Sequence, residues 1–307
     1  MATTHTRTTS IGAVRLTHLP ATLVLCLREA RVAVQVIFLG RFLCGAALCS
    51  TGLRAPTGRL VLGGFVWAAA ILYVYLLNGV TDVAEDRVNR SSRPIASGRL
   101  SALEAGQIAD GAAVLAVVGA LWLGWWMTLL AGLVLALGYA YSVPPLALKR
   151  WSAAAGLVTL VAGLVTYAAG AVAADGTVTP ALVVLALAMS AWMALVGAQA
   201  KDLSDIDGDR AAGRRTLAVR RGEGRARRMV AVNALVVGAV FLGLALTAAP
   251  QLRWPGLVVL AGAGLLAGSV LSGHSRGDRD RRRRPYRIFM VTQYAAHAAV
   301  FAGLVVG

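Results

Sequence analysis

Residues 60–99 read LVLGGFVWAAAILYVYLLNGVTDVAEDRVNRSSRPIASGR. The first part, Leu60 to Leu77, is an apolar run close to the roughly 20 residues that a helix needs to cross a bilayer. The second part, Asn78 to Arg99, carries Asn78, Asp82, Glu85, Asp86 and four arginines. On a helix Asn78, Asp82 and Asp86 stand at i, i+4 and i+8 and share one face. Acids at the end of a hydrocarbon-length helix are costly unless they bind something. An Asn and two carboxylates on one face suit a hard divalent cation, which takes oxygen ligands. The plainer alternative is a solvated helix end that happens to be acidic.

Working outward, the whole chain has the same character. Of its 307 residues 58% are hydrophobic and only 14% charged, with a mean hydropathy of +0.69. A soluble domain carries roughly 25% charged residues, so the composition implies an all-α, polytopic membrane protein. No long polar segment exists to build a second domain. Residues 26–307 therefore read as one membrane domain behind a mobile cytoplasmic tail, residues 1–25. The net charge of +16 would fit a nucleic-acid binder, but the charges lie in short loops between apolar spans. That placement speaks for topology and for contact with anionic lipid or phosphate, not nucleic acid. Cys26, Cys44 and Cys49 lack metal-site spacing, and structural disulfides are not expected.

Nine spans of bilayer length are expected, at about 32–51, 60–82, 102–123, 125–143, 153–173, 178–199, 227–247, 254–273 and 286–306. The break between the third and fourth has no polar loop and is marked instead by Trp122, Trp125 and Trp126, residues that favour the membrane boundary. With the N-terminus inside, 26 of the 30 Lys and Arg residues fall on inner segments. Arg54, Arg59 and Arg253 lie outside, and Arg41 lies within the first span. This bias places the acidic loops on the cytoplasmic face of the cell membrane.

A second acidic loop follows the sixth span: KDLSDIDGDRAAGRRT, residues 201–216. Asp202, Asp205 and Asp209 stand at i, i+3 and i+7, again one helical face, whereas Asp207 points elsewhere. DIDGD lacks the downstream Glu of a calcium loop. The two acidic loops lie four spans apart in the same orientation, a weak parallel repeat with a site expected between the halves. A third inner loop, YSVPPLALKR (residues 141–150), has two prolines that stop the fourth span. The run Arg281 to Arg284 reads as an orientation signal and lipid contact. Two facing acidic clusters at the mouth of an apolar bundle suit an amphiphile, with a diphosphate held at Mg²⁺ and a long tail between the helices. Metal-assisted loss of diphosphate would leave an allylic carbocation that the apolar cavity keeps from water.

NGVTDVAED, the following DRVNRSSRPIASGRLS and KDLSDIDGDRAAGRRTLAV together resemble the paired Asp-rich motifs of the UbiA-type intramembrane prenyltransferases, over nearly the whole chain from about residue 25. The resemblance implies a nine-helix bundle, a polyprenyl diphosphate donor, Mg²⁺ and usually a small aromatic acceptor. By position it implies metal ligation by Asn78, Asp82 and Asp86 and by Asp202, Asp205 and Asp209, with Asp82, Asp86, Asp205 and Asp209 as catalytic carboxylates. It makes Arg93, Lys149, Arg150, Lys201 and Arg210 diphosphate contacts. In many relatives Tyr and Lys stand four apart in the loop after the fourth span. Here Tyr141 and Lys149 are eight apart, a form more similar to the chlorophyll-synthase and homogentisate branches, and Tyr141 is placed near the acceptor.

Three functions remain open on the sequence. One is prenyl transfer to an aromatic or related acceptor. Another is terpene cyclisation on the same fold without an acceptor. The third is a transporter or lipid-binding protein, and acids gathered at one face do not make a path across a membrane. Arg41, about ten residues from either end of its span, needs a partner. An acceptor carboxylate suits its planar guanidinium. A structural pair with carbonyls or with Gln35 is the alternative.

Overall fold

The computed structural model describes residues 19–306, and among them there is no β-strand. Helix α1 (Leu19–Glu29) leads into α2 (Val32–Leu48) and α3 (Thr57–Thr81), which a short α4 (Val83–Val88) extends. Then follow α5 (Ala102–Leu123), α6 (Trp125–Ser142), α7 (Ser152–Ala173) and α8 (Pro180–Ala191). A wide π turn, Trp192–Gly197, carries α8 into α9 (Ala198–Asp202). Short α10 (Ile206–Ala211) and α11 (Leu217–Arg221) precede the long α12 (Glu223–Ala248) and α13 (Arg253–Leu271). The chain closes with α14 (Arg279–Arg282) and α15 (Arg284–Val306).

Every expected span falls on a helix. Seven stretches, from Thr57–Thr81 to Pro250–Leu271, are long and apolar enough to cross a membrane, and the chain is an integral membrane protein. The first and ninth expected spans, on α2 and α15, are not among those seven. α2 has only 17 residues. α15 carries Thr292, Gln293 and His297, all buried. α2 and α15 meet through polar side chains: Arg41 on α2 donates to Gln293 on α15 at 2.8 Å.

The core divides between two layers that share α7. One gathers α2, α3, α5, α6 and α7, and the other α7, α8, α12, α13 and α15, to which α2 adds Cys44, Ala46 and Leu48. In a membrane helices associate through close packing, and small residues let the backbones approach. At the α2–α7 crossing a Cβ on Gly170 would collide with the Phe42 carbonyl, and one on Gly45 with the Tyr167 carbonyl. The loop-free break at the tryptophans is a single residue, Gly124, with φ 105°, a conformation open to glycine. Trp122, Trp125 and Trp126 stay largely exposed around it.

Of the expected N-terminal tail, residues 1–18 lie outside the described residues. From Leu19 the chain is helical, and the expected boundary after residue 25 falls inside α1. Cys26 and Ala30 pack with Leu76, Ile95, Ala105 and Ala109, which fixes α1 against α3 and α5.

Candidate active site

The first acidic motif forms where α3 gives way to α4. Asp82 joins the two helices with φ −97° and ψ 5°. The i→i+4 bonds nevertheless continue through it, from Asp82 N to Asn78 O at 3.0 Å and from Asp86 N to Asp82 O at 2.8 Å. The shared face expected from the spacing is therefore kept, but its members have different neighbours. Asn78 and Asp82 line a cavity of about 150 Å³ that runs down between the helices. Asp86 does not line it, and instead accepts from Arg93 Nη1 at 2.7 Å. Arg93 is in turn held by Glu29, with Nε 2.7 Å from Oε1, and Glu29 Oε2 accepts from the Ile95 amide at 2.9 Å. Arg93 is thus a buried brace between α1, α4 and the following loop. Gly79 is needed beside it, because a Cβ there would press on the Glu29 carboxylate and the Arg93 guanidinium.

The second motif turns more sharply. After α9 the bonds tighten to i→i+3, from Ser204 N to Lys201 O and from Asp205 N to Asp202 O, before α10 resumes with Asp209 N to Asp205 O at 2.9 Å. The tight turn separates the three acids that an unbroken helix would align. Asp202 lines a small side chamber with Tyr141, Lys149, Ser152 and Thr216. Asp205 is gripped by Lys201 and Arg279, each at 2.9 Å. Asp209 is 2% exposed, and its Oδ2 has no hydrogen-bond partner. Asp207 points outward to Arg210 and Arg282.

Arg214 joins the motifs. Its Nη2 donates to Asp82 Oδ1 at 2.9 Å and pairs with Glu85, while Nη1 lies 3.5 Å from Asp209 Oδ1. Lys149 completes the ring, donating to the same Asp82 oxygen at 2.5 Å and to Thr81 Oγ1 at 2.8 Å. α4 and α10 are drawn together here, and the Gly208 amide donates to Asn89 Oδ1 at 3.0 Å. Burial alone would raise the Asp82 carboxyl, but Lys149 and Arg214 overcome it and hold Asp82 below its ordinary range. Asp205 is likewise held low against burial by Lys201 and Arg279. Glu85 is pushed up to about 7 by burial and by the neighbouring Asp82, since Arg214 is shared among three acids. Burial also raises Asp209.

The expected diphosphate contacts separate into three groups. Lys201 lines the main cavity and Lys149 the side chamber. Arg93 is committed to Asp86 and Glu29. Arg150 and Arg210 are exposed and line neither space. Two cations that the sequence reading left out line the cavity: Arg214, and Arg31, which sits at the α1–α2 turn with φ 59°. Glu29 and Arg279 were also missed as partners of Arg93 and Asp205. The available signal was charge balance, because so many buried acids require basic partners nearby. Tyr141 stands where the main cavity meets the side chamber. Arg41 does not line the cavity. It pairs behind the wall with Gln293 and with Met193 Sδ at 2.9 Å, while Gln35 donates to the Ala30 carbonyl instead.

By donor type the motif residues fit a hard divalent cation. The donors are oxygens from both halves, and Asp209 Oδ2 is a buried acceptor without a partner. Among the described residues no three His, Cys, Asp or Glu stand together as a ready metal cluster, because the carboxylates hold Lys and Arg side chains. Below this charged mouth the cavity is apolar, walled by Ile37, Phe38, Ile71, Val134, Phe289 and Met290. The arrangement takes an amphiphile, charged head at the acids and tail between the helices.

Known proteins share this architecture. A solved structure of a UbiA homolog from Archaeoglobus fulgidus bound to GPP and Mg²⁺ superposes with a TM-score of 0.68 at 19% identity, covering 92% of this chain and 99% of that one. Digeranylgeranylglyceryl phosphate synthase of Methanopyrus kandleri is 29% identical over 274 residues, 87% of this chain and 94% of its own length. Homogentisate phytyltransferase of Synechocystis is 39% identical over 104 residues, so the match spans only a third of either chain. The model of the UbiA prenyltransferase family matches residues 38–295, from α2 to α15 and across both acidic motifs, and the chain belongs to that family.

Proposed function

We propose that the chain ionises a prenyl diphosphate at the charged mouth and transfers the prenyl group to an aromatic or related acceptor. The observation that carries this reading is the convergence of two acidic motifs on Arg214 at the head of an apolar cavity. Asn78, Asp82 and Asp86 on one side and Asp202, Asp205 and Asp209 on the other would hold Mg²⁺, with Asp86 and Asp205 sharing their oxygens with Arg93, Lys201 and Arg279. Bound there, Mg²⁺ supplies positive charge to the diphosphate as it leaves. Lys201, Arg214 and Arg31 line the same mouth and neutralise further phosphate oxygens. The C1–O bond of the allylic ester breaks with both electrons going to the diphosphate oxygen. A ring carbon of the acceptor then forms the new bond to C1, and its proton passes to the released diphosphate. Phe38, Tyr75 and Phe289 exclude water, and their ring faces favour a cation. The acidic motifs are proposed to face the cytoplasm, in a chain of nine spans in the cell membrane.

The test uses membranes holding the full chain, incubated with labelled geranyl, farnesyl and geranylgeranyl diphosphates, with and without phenolic acids. Diphosphate release and a prenylated acceptor are expected, both abolished by EDTA and restored by Mg²⁺. Turnover undiminished in metal-free buffer overturns the metal-assisted mechanism. A cyclic hydrocarbon formed without acceptor replaces transfer by cyclisation.

A further inference from the structure

Three of the helices that wall the main cavity stop lining it at one depth. On α3 the lining runs from Asn78 at the mouth to Ile71, on α6 from Tyr141 to Val134, and on α2 from Arg31 to Phe38. Each pair is seven residues apart, roughly 10 Å at a helical rise of about 1.5 Å per residue. One turn deeper on the same helices, Phe42, Trp67 and Ala131 are buried and lie outside the cavity lining. Beneath the α15 wall the floor is polar. Arg41 donates there to Gln293 Oε1 at 2.8 Å and to Met193 Sδ at 2.9 Å, and behind it Tyr167 and His297 share a bond of 2.7 Å. A hydrocarbon chain pushed through this floor would strip a buried guanidinium of its partners. Phe38, Ile71, Val134 and Gln293 are themselves buried, so the deep end is closed and does not open to lipid.

A closed end limits the length of the tail. A dry apolar cavity of about 150 Å³ holds a molecule the size of benzene, so this cavity, about 150 Å³ in all, has no room for fifteen or twenty carbons. Bonds of about 1.5 Å advance an extended chain by about 1.3 Å each. The geranyl main chain, with seven bonds from C1, is then roughly 9 Å long, and the farnesyl chain, with eleven, roughly 14 Å. Dimethylallyl, with three, reaches only about 4 Å and leaves the deep wall without contacts. We propose that the donor is a ten-carbon allylic diphosphate, and that Ile71 and Val134, on the packed helices α3 and α6, are the residues that stop its tail. The second isoprene unit fills the deep end. A third would have to displace Trp67 or the Arg41–Gln293 pair. The inference rests on the proposed ionisation of a prenyl diphosphate at the mouth.

The test is direct binding, with Mg²⁺, to the purified full-length protein in detergent. The probes are the thiolo analogues of dimethylallyl, geranyl, farnesyl and geranylgeranyl diphosphate, in which sulfur replaces the bridging oxygen and slows ionisation. Each added isoprene unit by itself favours leaving water, so an affinity that falls beyond ten carbons marks a closed end. The wild type is expected to bind the geranyl analogue at least tenfold tighter than either the dimethylallyl or the farnesyl analogue. Val134→Phe fills the deep end. It should weaken the geranyl analogue at least tenfold and leave the dimethylallyl analogue within about twofold. Ile71→Ala deepens the cavity toward Trp67 and should raise the affinity for farnesyl relative to geranyl at least threefold. A ratio between two analogues in one preparation does not depend on how much of a variant folds. A dimethylallyl, farnesyl or geranylgeranyl analogue that binds the wild type as tightly as geranyl overturns the length limit. So does Val134→Phe with an unchanged geranyl-to-dimethylallyl ratio, or no binding of any analogue. Diphosphate release from the four natural donors in the same preparation separates the two readings. Release without preference for geranyl removes the length limit alone, and no release at any length removes the transferase reading.

Discussion

At Arg214 the two halves of the bundle compete for one guanidinium. Asp82, Glu85 and Asp209 all reach it, and it is 7% exposed. Removing one partner of a buried charge cluster costs about 3–5 kcal/mol, because the charges left behind stay desolvated. Arg214→Met is therefore expected to lower the melting temperature sharply in metal-free detergent. Mg²⁺ neutralises the same carboxylates, so it should raise the melting temperature more in the variant than in the wild type. An unchanged melting temperature, or an equal Mg²⁺ shift in both, would show that Arg214 does not hold the motifs together. Arg210 is the control from the same loop. Its pair with Asp207 is exposed and 3.7 Å long, and surface pairs contribute about 0–1 kcal/mol. Arg210→Ala should melt within a degree or two of the wild type.

At the scale of elements, stability depends on how closely the helices approach. Gly170 on α7 lies against the Phe42 carbonyl of α2, while Gly132 on α6 has open space around it. Gly170→Ala must push two backbones apart, and overpacking costs about 1–3 kcal/mol. Gly132→Ala meets nothing and should leave the melting temperature unchanged or slightly raised. Equal behaviour of the two variants on thermal unfolding in detergent would remove the α2–α7 crossing as a tight contact. Elements were also where the sequence was most legible. Long apolar runs report helices directly, and Asn78, Asp82 and Asp86 keep their spacing because the backbone bonds run on through Asp82. The second motif was harder, since the tight turn at Ser204 and Asp205 leaves no mark in residue spacing. Arg214, 132 residues from Asp82 along the chain, and Glu29, 64 residues from Arg93, become partners only when helices far apart in sequence meet. The polar contact between α2 and α15 was half legible. Arg41 was conspicuous as a charge within a span, but nothing local pointed to Gln293.

For the molecule as a whole, the charge distribution sets orientation, and the folded chain makes that testable. Among the described residues nearly all Lys and Arg lie at the end of the bundle that carries the acidic motifs. Some of these cations are part of the site. Arg279 reaches Asp205, and Arg282 lies 3.6 Å from Asp207. Others, such as Arg281, are exposed and free to meet anionic lipid. Cations are retained on the cytoplasmic side of a membrane, so the acidic motifs should face the cytoplasm. Labelling with a membrane-impermeant thiol reagent checks this, provided the chosen positions are open. Ser204 is buried, and a Cβ on Gly176 would strike Cys49, which makes both poor reporters. Arg221, at the end of α11, and Val178, in the turn between α7 and α8, are exposed at opposite ends of the bundle. Cys26, Cys44 and Cys49 are all buried, so the wild type provides the blank. Arg221→Cys should label only when the cytoplasmic side is opened to the reagent, and Val178→Cys should label on intact cells. The reverse pattern would put the diphosphate mouth outside the cell, away from the expected supply of its substrate, and would overturn the orientation while leaving the fold untouched.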